Sequence, residues 1–228
     1  MTTKITWHGH ATLSLEVNDF KLVVDPFFDD CPTADRKAAD VTADFILITH
    51  GHGDHVGDSM EIARRSNALI IANNEICTWF RAKGYPKVHG QHIGGGFQHP
   101  FGYLKMTQAF HGSALPDGSN GGMPAGFLLD ADGKRIYIAG DTALFSDMQL
   151  YGSQGLDLAI LPIGDNFTMG PADALQAVKF LQPMVVIPYH FDTWPAIAQD
   201  ARAWTEAVNS ETESQAVLLE IGESYTLH

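Results

Sequence analysis

Phe45-Ile46-Leu47-Ile48-Thr49-His50-Gly51-His52-Gly53-Asp54-His55 is the stretch from which the rest of the chain can be read. Its first half is a continuous apolar run, the pattern of a strand covered on both faces. Its second half sets three imidazoles and a carboxylate within six residues, directly after that strand. Gly51 and Gly53 allow the tight backbone path by which neighbouring side chains converge on one point. A lone histidine is more often a satisfied core or surface residue than a ligand. Four ligand-type side chains around two glycines are a different matter. Imidazole together with carboxylate suits Zn, Mn, Fe or Ni better than Ca or Mg.

Outward from this stretch, strands and helices alternate. Before it, residues 4–7, 12–17 and 21–24 are short and apolar-rich, separated by Gly9 and an Asn18-Asp19 turn. After it, the pattern predicts a helix over 59–65, a strand over 68–72 and a helix over 75–82. Residues 103–109 and 126–129 then read as a strand pair, and Asp130-Ala131-Asp132-Gly133 as the turn into a strand at 135–139. A buried strand at 156–162 precedes a helix opened by Pro171 and running to 181. A strand at 184–188, a helix at 197–208 and a strand at 216–219 close the chain. Two similar halves of this kind imply an α/β fold, with sheets covered by helices. No repeat, low-complexity tract or linker interrupts residues 1–228, so one domain is expected.

Composition narrows the function. Hydrophobic residues make up 45% and charged residues 18%, a globular balance. The net charge of −13 repels phosphate backbones, so no nucleic-acid partner is expected. No apolar run approaches the ~20 residues that span a bilayer. The first seven residues also lack the apolar stretch of a signal peptide. The expectation is a cytoplasmic protein without a membrane partner, acting on a small molecule; homo-oligomerisation stays open. Cys31 and Cys77 read as reduced thiols rather than a disulfide framework.

One loop cannot fill two coordination shells, and three further residues sit where ligands would be needed. His111, Asp141 and His190 each follow an apolar strand, the place where sites gather in layered α/β proteins. The series His50, His52, Asp54, His55, His111, Asp141, His190 resembles the metallo-β-lactamase superfamily, whose hallmark is HxHxDH followed by a distant His, Asp and His. The family also has an earlier strand-end Asp, matched by Asp25 in Val23-Val24-Asp25-Pro26. Trp7-His8-Gly9-His10-Ala11, Asn120-Gly121-Gly122-Met123-Pro124-Ala125-Gly126 and Phe167-Thr168-Met169-Gly170-Pro171 look like a compact bacterial branch of metal-dependent hydrolases. That branch is related to the ascorbate-6-phosphate lactonases. Through the Gly-His-Ala motif it is, more distantly, similar to the N-acylphosphatidylethanolamine phospholipase D enzymes.

The resemblance implies a four-layer αββα sandwich with two divalent metal ions at one edge, zinc first, with Mn, Fe or Ni as alternatives. By motif, His50, His52 and His111 would hold the first metal. Asp54, His55 and His190 would hold the second, and Asp141 would bridge them. Asp25 would accept a hydrogen bond from a ligand imidazole and fix its tautomer. A turn-forming Asp before Pro26 is an equally good reading of the same residue. The implied activity is hydrolysis of a small ester, lactone, amide or phosphoester by a hydroxide between the metals, since bound water ionises near ~7 instead of about 15.7. No GxSxG elbow offers a serine nucleophile.

Asp54 would also orient the nucleophile or relay its proton. His10, with His8 and Tyr189 as alternatives, is the candidate acid for the leaving group. By strand alternation His8 and His10 would point to one face. His92 is a further residue within reach of the cleft, whereas His89 and His99 read as loop residues. The glycine-rich residues 112–126 suit a lid or wall. The helix start at 168–171 could hold an anion, although Asp173 would partly repel one. Two other readings belong to the same fold: a di-iron redox protein, which usually carries a flavin domain, and an RNase-like nucleic-acid-processing enzyme.

Overall fold

Along Leu22, Val23 and Val24, alternate side chains enter different cores: Leu22 and Val24 pack between two sheets, and Val23 packs beneath helices. Successive strand side chains must diverge in this way, and a strand apolar on both faces therefore needs two covers. The computed structural model describes residues 3–228 and supplies both covers. The first sheet comprises β1 (Thr3–Trp7), β2 (Leu13–Val17), β3 (Phe20–Val24), β4 (Phe45–Leu47), β5 (Leu69–Asn73) and β6 (Val88–Gln91). The second comprises β7 (Gly96–His99), β8 (Gly102–Gln108), β9 (Ala125–Ala131), β10 (Lys134–Ile138), β11 (Leu158–Pro162), β12 (Val185–Tyr189) and β13 (Gln215–Ala216). The last strand, β14 (Ser224–Leu227), returns to the first sheet beside β1.

Both sheets follow one plan. An antiparallel meander, β1-β2-β3 or β7-β8-β9-β10, passes into parallel strands, β4-β5-β6 or β11-β12-β13. The parallel strands need crossovers, and helices supply them. These are α1 (Gly53–Val56), α2 (Ser59–Ser66), α3 (Asn74–Ala82), α4 (Met148–Gly152), α5 (Pro171–Leu181) and α6 (Ala201–Glu211). Leu13 and Leu15 of β2 share the inter-sheet core with Phe127 and Leu129 of β9. Ile62 of α2 and Phe80 of α3 cover Ile46 and Ile70 on the outer face. Full burial of each such side chain stabilises the fold by about 1.5–3 kcal/mol. The expected αββα layering is thus formed.

Several expectations need correction. The helix expected over 197–208 begins only at Ala201, where the Asp200 carboxylate accepts the Ala203 amide at 2.9 Å. Pro195–Ile197 is a separate 3₁₀ turn. The strand expected over 216–219 is confined to Gln215–Ala216. His89 and His99 lie on β6 and β7 rather than in loops, and His99 is buried against Phe101 with its Nε2 3.0 Å from Gln91 Oε1. These two strands were invisible to patterning because Val88-His89-Gly90-Gln91 and Gly96-Phe97-Gln98-His99 carry little apolar alternation.

One glycine fixes how the loop after β4 meets the sheet. Gly57 ends α1 with φ of 26°, and a Cβ there would run into the Pro26 carbonyl. That carbonyl accepts the Asp58 amide at 2.8 Å, and the Asp58 carboxylate in turn accepts the Phe28 amide at 2.6 Å. The turn after α1 is therefore clamped to the segment that follows Asp25. Gly57→Ala should cost at least about 1–3 kcal/mol through overpacking against rigid backbone; the midpoint of urea unfolding, monitored by circular dichroism, measures it.

Candidate metal centre

Every chemistry-bearing residue of the HxHxDH stretch stands just past the end of β4. His52 caps α1 from an extended backbone, and Asp54 and His55 lie inside that single turn. Consecutive helical residues diverge by about 100°, so the two project differently. His55 is fully buried, while the Asp54 side chain keeps 30% of its exposure. His111 follows β8, Asp141 follows β10 and His190 directly follows β12. Strands that are distant in sequence thus deliver their ends to one place.

Two groups of ligand atoms result. His52 Nδ1 lies 3.0 Å from His50 Nε2 and 3.2 Å from His111 Nε2. The second group holds Asp54, His55 and His190, with His10 beside them, all offering atoms within 4.8 Å of one another. Asp141 stands between the groups. Its Oδ2 is 3.1 Å from His190 Nε2, 3.4 Å from His55 Nε2 and 3.5 Å from His111 Nε2.

The donor set fits divalent cations on a further count. His55 Nε2, His190 Nδ1 and Nε2, and Asp141 Oδ1 are buried and have no hydrogen-bond partner among the described residues. An unsatisfied buried polar atom costs about 1–3 kcal/mol. A cation at their focus would satisfy His55 Nε2, His190 Nε2 and the Asp141 carboxylate together.

What aims the imidazoles is Asp25, fully buried just past β3. Its Oδ1 accepts the Thr49 amide at 2.8 Å, and its Oδ2 accepts the Thr49 hydroxyl at 2.6 Å. The same Oδ2 lies 2.9 Å from His55 Nδ1. With its proton given to Asp25, the Thr49 Oγ1 is left to accept from His50 Nδ1, 2.9 Å away. Both histidines therefore donate from Nδ1, which leaves Nε2 as the atom turned towards the centre. Thr49 was not singled out in the sequence; its position immediately before HxHxDH was the available signal.

His10 does not face the open site as a proton donor. The ring is fully buried, with Nε2 3.1 Å from Asp54 Oδ2 and Nδ1 2.9 Å from Thr193 Oγ1. A carboxylate only accepts, so Nε2–H donates to Asp54 and Nδ1 accepts from Thr193. His10 is thereby spent on Asp54 rather than free to act as a ligand. Burial, opposed by that hydrogen bond, lowers its pKa to about 4. Burial would raise the Asp54 carboxyl, yet the bond from His10 and the charge of His55 hold it below the usual carboxylate range. Burial would likewise lower His55, but Asp141 and Asp25 together raise it well above an ordinary imidazole.

The other acid candidates differ in their placement. Tyr189 is wholly buried, and burial pushes its hydroxyl pKa up. His8 points away from His10, to Asp35 and Ser14. Alternation fails because these residues form a turn after β1, with φ of 100° at Gly9 and 46° at His10. His92 is exposed beyond the end of β6, in none of the ligand groups found among the described residues.

Residues 112–126 form a pinned wall beside the metal loop. Ser113 Oγ accepts the Gly51 amide at 3.0 Å and donates to the Gly121 carbonyl at 3.0 Å. Asn73 Nδ2 donates to the Gly121 and Met123 carbonyls at 2.6 and 3.0 Å, while its Oδ1 caps α3. At the start of α5, the Asp165 carboxylate crowds Gly170, which leaves that helix end poorly suited to an anion.

Comparison with known proteins places the chain in a family. The family profile of the β-lactamase superfamily domain matches residues 21–191. A UPF0173 metal-dependent hydrolase of Bacillus cytotoxicus is 49% identical, covering 98% of this chain and all of its own. Among solved structures, Igni18, a metallo hydrolase of the archaeon Ignicoccus hospitalis, superposes with a TM-score of 0.91 at 34% identity, over 100% of this chain and 99% of that one. CmlA, a diiron β-hydroxylase of Streptomyces venezuelae, shares the fold at a TM-score of 0.73 and 15% identity, over 99% of this chain and 53% of that one. By family profile, sequence identity and fold alike, this chain belongs to the metallo-β-lactamase superfamily and is a metal-dependent hydrolase.

Proposed function

We propose that this protein hydrolyses a small ester, lactone, amide or phosphoester, with two divalent ions, zinc foremost, supplying Lewis acidity and a hydroxide nucleophile at neutral pH. The observation that carries this reading is the position of Asp141 Oδ2, within 3.1–3.5 Å of imidazole nitrogens from both ligand groups. His50, His52 and His111 would hold one ion, and Asp54, His55 and His190 the other, with Asp141 shared. Five imidazoles against two carboxylates favour zinc over harder ions.

The chain's own residues do the rest. Asp25, with Thr49, holds His55 and His50 in the tautomer that presents Nε2 to the centre. His10 donates to one Asp54 oxygen and fixes that carboxylate's rotation. Asp54, the more exposed of the site's two carboxylates, stays ionised at neutral pH and orients water with its other oxygen. Residues 112–126 bound the substrate on one side, held by Ser113 and Asn73. The net charge of −13 supports a small-molecule substrate over a nucleic acid.

Elemental analysis of the fully loaded protein should approach about two ions per chain, matching a two-metal site. Zinc- or manganese-loaded protein should turn over at least one of a panel of lactone, phosphodiester and thioester substrates. A plateau at one ion speaks against the shared Asp141. Bound iron with redox activity and no hydrolysis would favour the di-iron reading instead.

Asp25→Asn tests the aiming network separately. The amide keeps the shape, but its NH2 must face either the Thr49 amide or the Thr49 hydroxyl and His55 Nδ1, so one side of the network meets a donor instead of an acceptor. Metal affinity should fall about 10–100-fold, the usual effect of losing a partner behind a ligand. Competition with a chelator measures it, and unchanged affinity would show that Asp25 serves only the turn before Pro26.

A further inference from the structure

On the face of β2 away from the inter-sheet core, a second set of polar residues is organised for chemistry. Ser14 alternates with Leu13 and Leu15, which enter that core, so its hydroxyl projects outward and is partly exposed. His8 Nε2 lies 2.8 Å from Ser14 Oγ, and His8 Nδ1 lies 2.9 Å from Asp35 Oδ1. The Asp35 carboxylate is itself held, since Arg36 donates to Oδ2 from Nε at 2.9 Å and from Nη2 at 2.7 Å. His8 is buried, with its ring against Phe28.

The tautomer follows from these contacts. A carboxylate only accepts, so Nδ1 carries the proton towards Asp35 and the bare Nε2 accepts the Ser14 hydroxyl proton. This connectivity, serine to Nε2 and carboxylate to Nδ1, is the one by which a histidine activates a serine, and it is recognised by geometry and roles rather than sequence context. No GxSxG elbow is needed to build it. Burial lowers the His8 pKa against the pull of Asp35, which keeps the ring neutral and able to take a proton at pH 7. Ser14 and His8 line a cavity of about 210 Å³, together with Lys21 and Arg36. Glu16 and Asp40 line the same cavity, so both signs of charge face it. None of Ser14, His8 and Asp35 belongs to either metal-ligand group.

We propose that Ser14, His8 and Asp35 form a second, metal-independent nucleophilic site that accepts an acyl group from small, short-chain esters. Ser14 Oγ attacks the ester carbonyl carbon, and its proton passes to His8 Nε2. The carbon–alkoxy bond breaks, the departing alkoxide takes that proton from His8, and the acyl group remains on Ser14. Water, deprotonated by His8 in the same way, then releases the carboxylic acid and restores the serine. Asp35 holds the ring and stabilises its transient charge. The small cavity restricts the acyl group to a few carbons.

The experiment exposes the metal-loaded full-length protein to 4-nitrophenyl acetate and maps acetylation by peptide mass spectrometry, with release of nitrophenolate followed in parallel. Acetylation should concentrate on Ser14 and persist in Asp141→Ala. It should vanish in Ser14→Ala while that variant's metal-dependent hydrolysis stays at the parent level. His8→Gln and Asp35→Asn should each slow acetylation of Ser14 by at least about 100-fold, the lower range for losing a general base. Asp35 is partly exposed, so Asp35→Asn keeps the test open if His8→Gln fails to fold. Acetylation confined to lysines or histidines, or Ser14 labelling equally fast in Asp35→Asn, would reduce the three residues to a structural latch and overturn the proposal.

Discussion

The buried carboxylate of Asp25 is the group on which the candidate metal centre depends. A carboxylate taken fully out of water is tolerated only when its oxygens are occupied by donors. Three converge on it: the Thr49 amide, the Thr49 hydroxyl and His55 Nδ1. Two of those donors belong to the residue that joins β4 to the ligand loop. The third belongs to a ligand-type residue itself. Satisfying Asp25 therefore fixes the start of the loop, the rotation of His55 and, through Thr49, the rotation of His50. One electrostatic requirement orders three side chains.

Backbone strain marks the same region. Asp25, His10 and His190 have φ of 45°, 46° and 57°, a conformation that costs a side-chain-bearing residue about 1–2 kcal/mol. Each is held by bonds that relaxation would break. The Asp25 amide donates to Leu47 at 3.0 Å, and the His190 amide donates to the His10 carbonyl at 3.0 Å. That carbonyl also accepts the Trp7 indole at 2.9 Å. Strain of this kind persists only where the surroundings over-determine it. Here it turns three polar side chains sharply off the strand direction and into a common space.

How far the sequence reveals this depends on which interactions are local. The apolar run at 45–49 and the glycine-spaced ligands after it are written in consecutive residues, so the layers and seven ligand-type side chains were legible. His111, Asp141 and His190 could be placed because each follows a recognisable apolar strand. Thr49, Thr193 and Asn73 act through hydrogen bonds to residues that are remote or differ in kind, and no local pattern announces them. His8 and His10 defeat patterning for another reason. Gly9 and His10 leave the extended backbone, so the rings part: one reaches Asp54, the other Ser14. Strands β6 and β7 escaped because pairing at a sheet edge demands little alternation.

Charge connects this site to the stability of the whole. Asp25 and Asp141 are both buried; burial would raise the Asp141 carboxyl, but His190 and His55 beside it hold it well below the usual carboxylate range, so its charge is retained inside the fold. Removing an ion from water leaves a penalty of several kcal/mol even after relaxation. A fold of this size is stable by only about 5–15 kcal/mol, so an uncompensated buried carboxylate would consume a large share of it. Cation binding at the ligand groups relieves that penalty and gives the unpartnered nitrogens of His55 and His190 something to coordinate. Ligand binding confined to the native state adds directly to its stability. In this protein, then, the groups that would activate water for hydrolysis are the same groups whose burial makes the folded chain favour a metal.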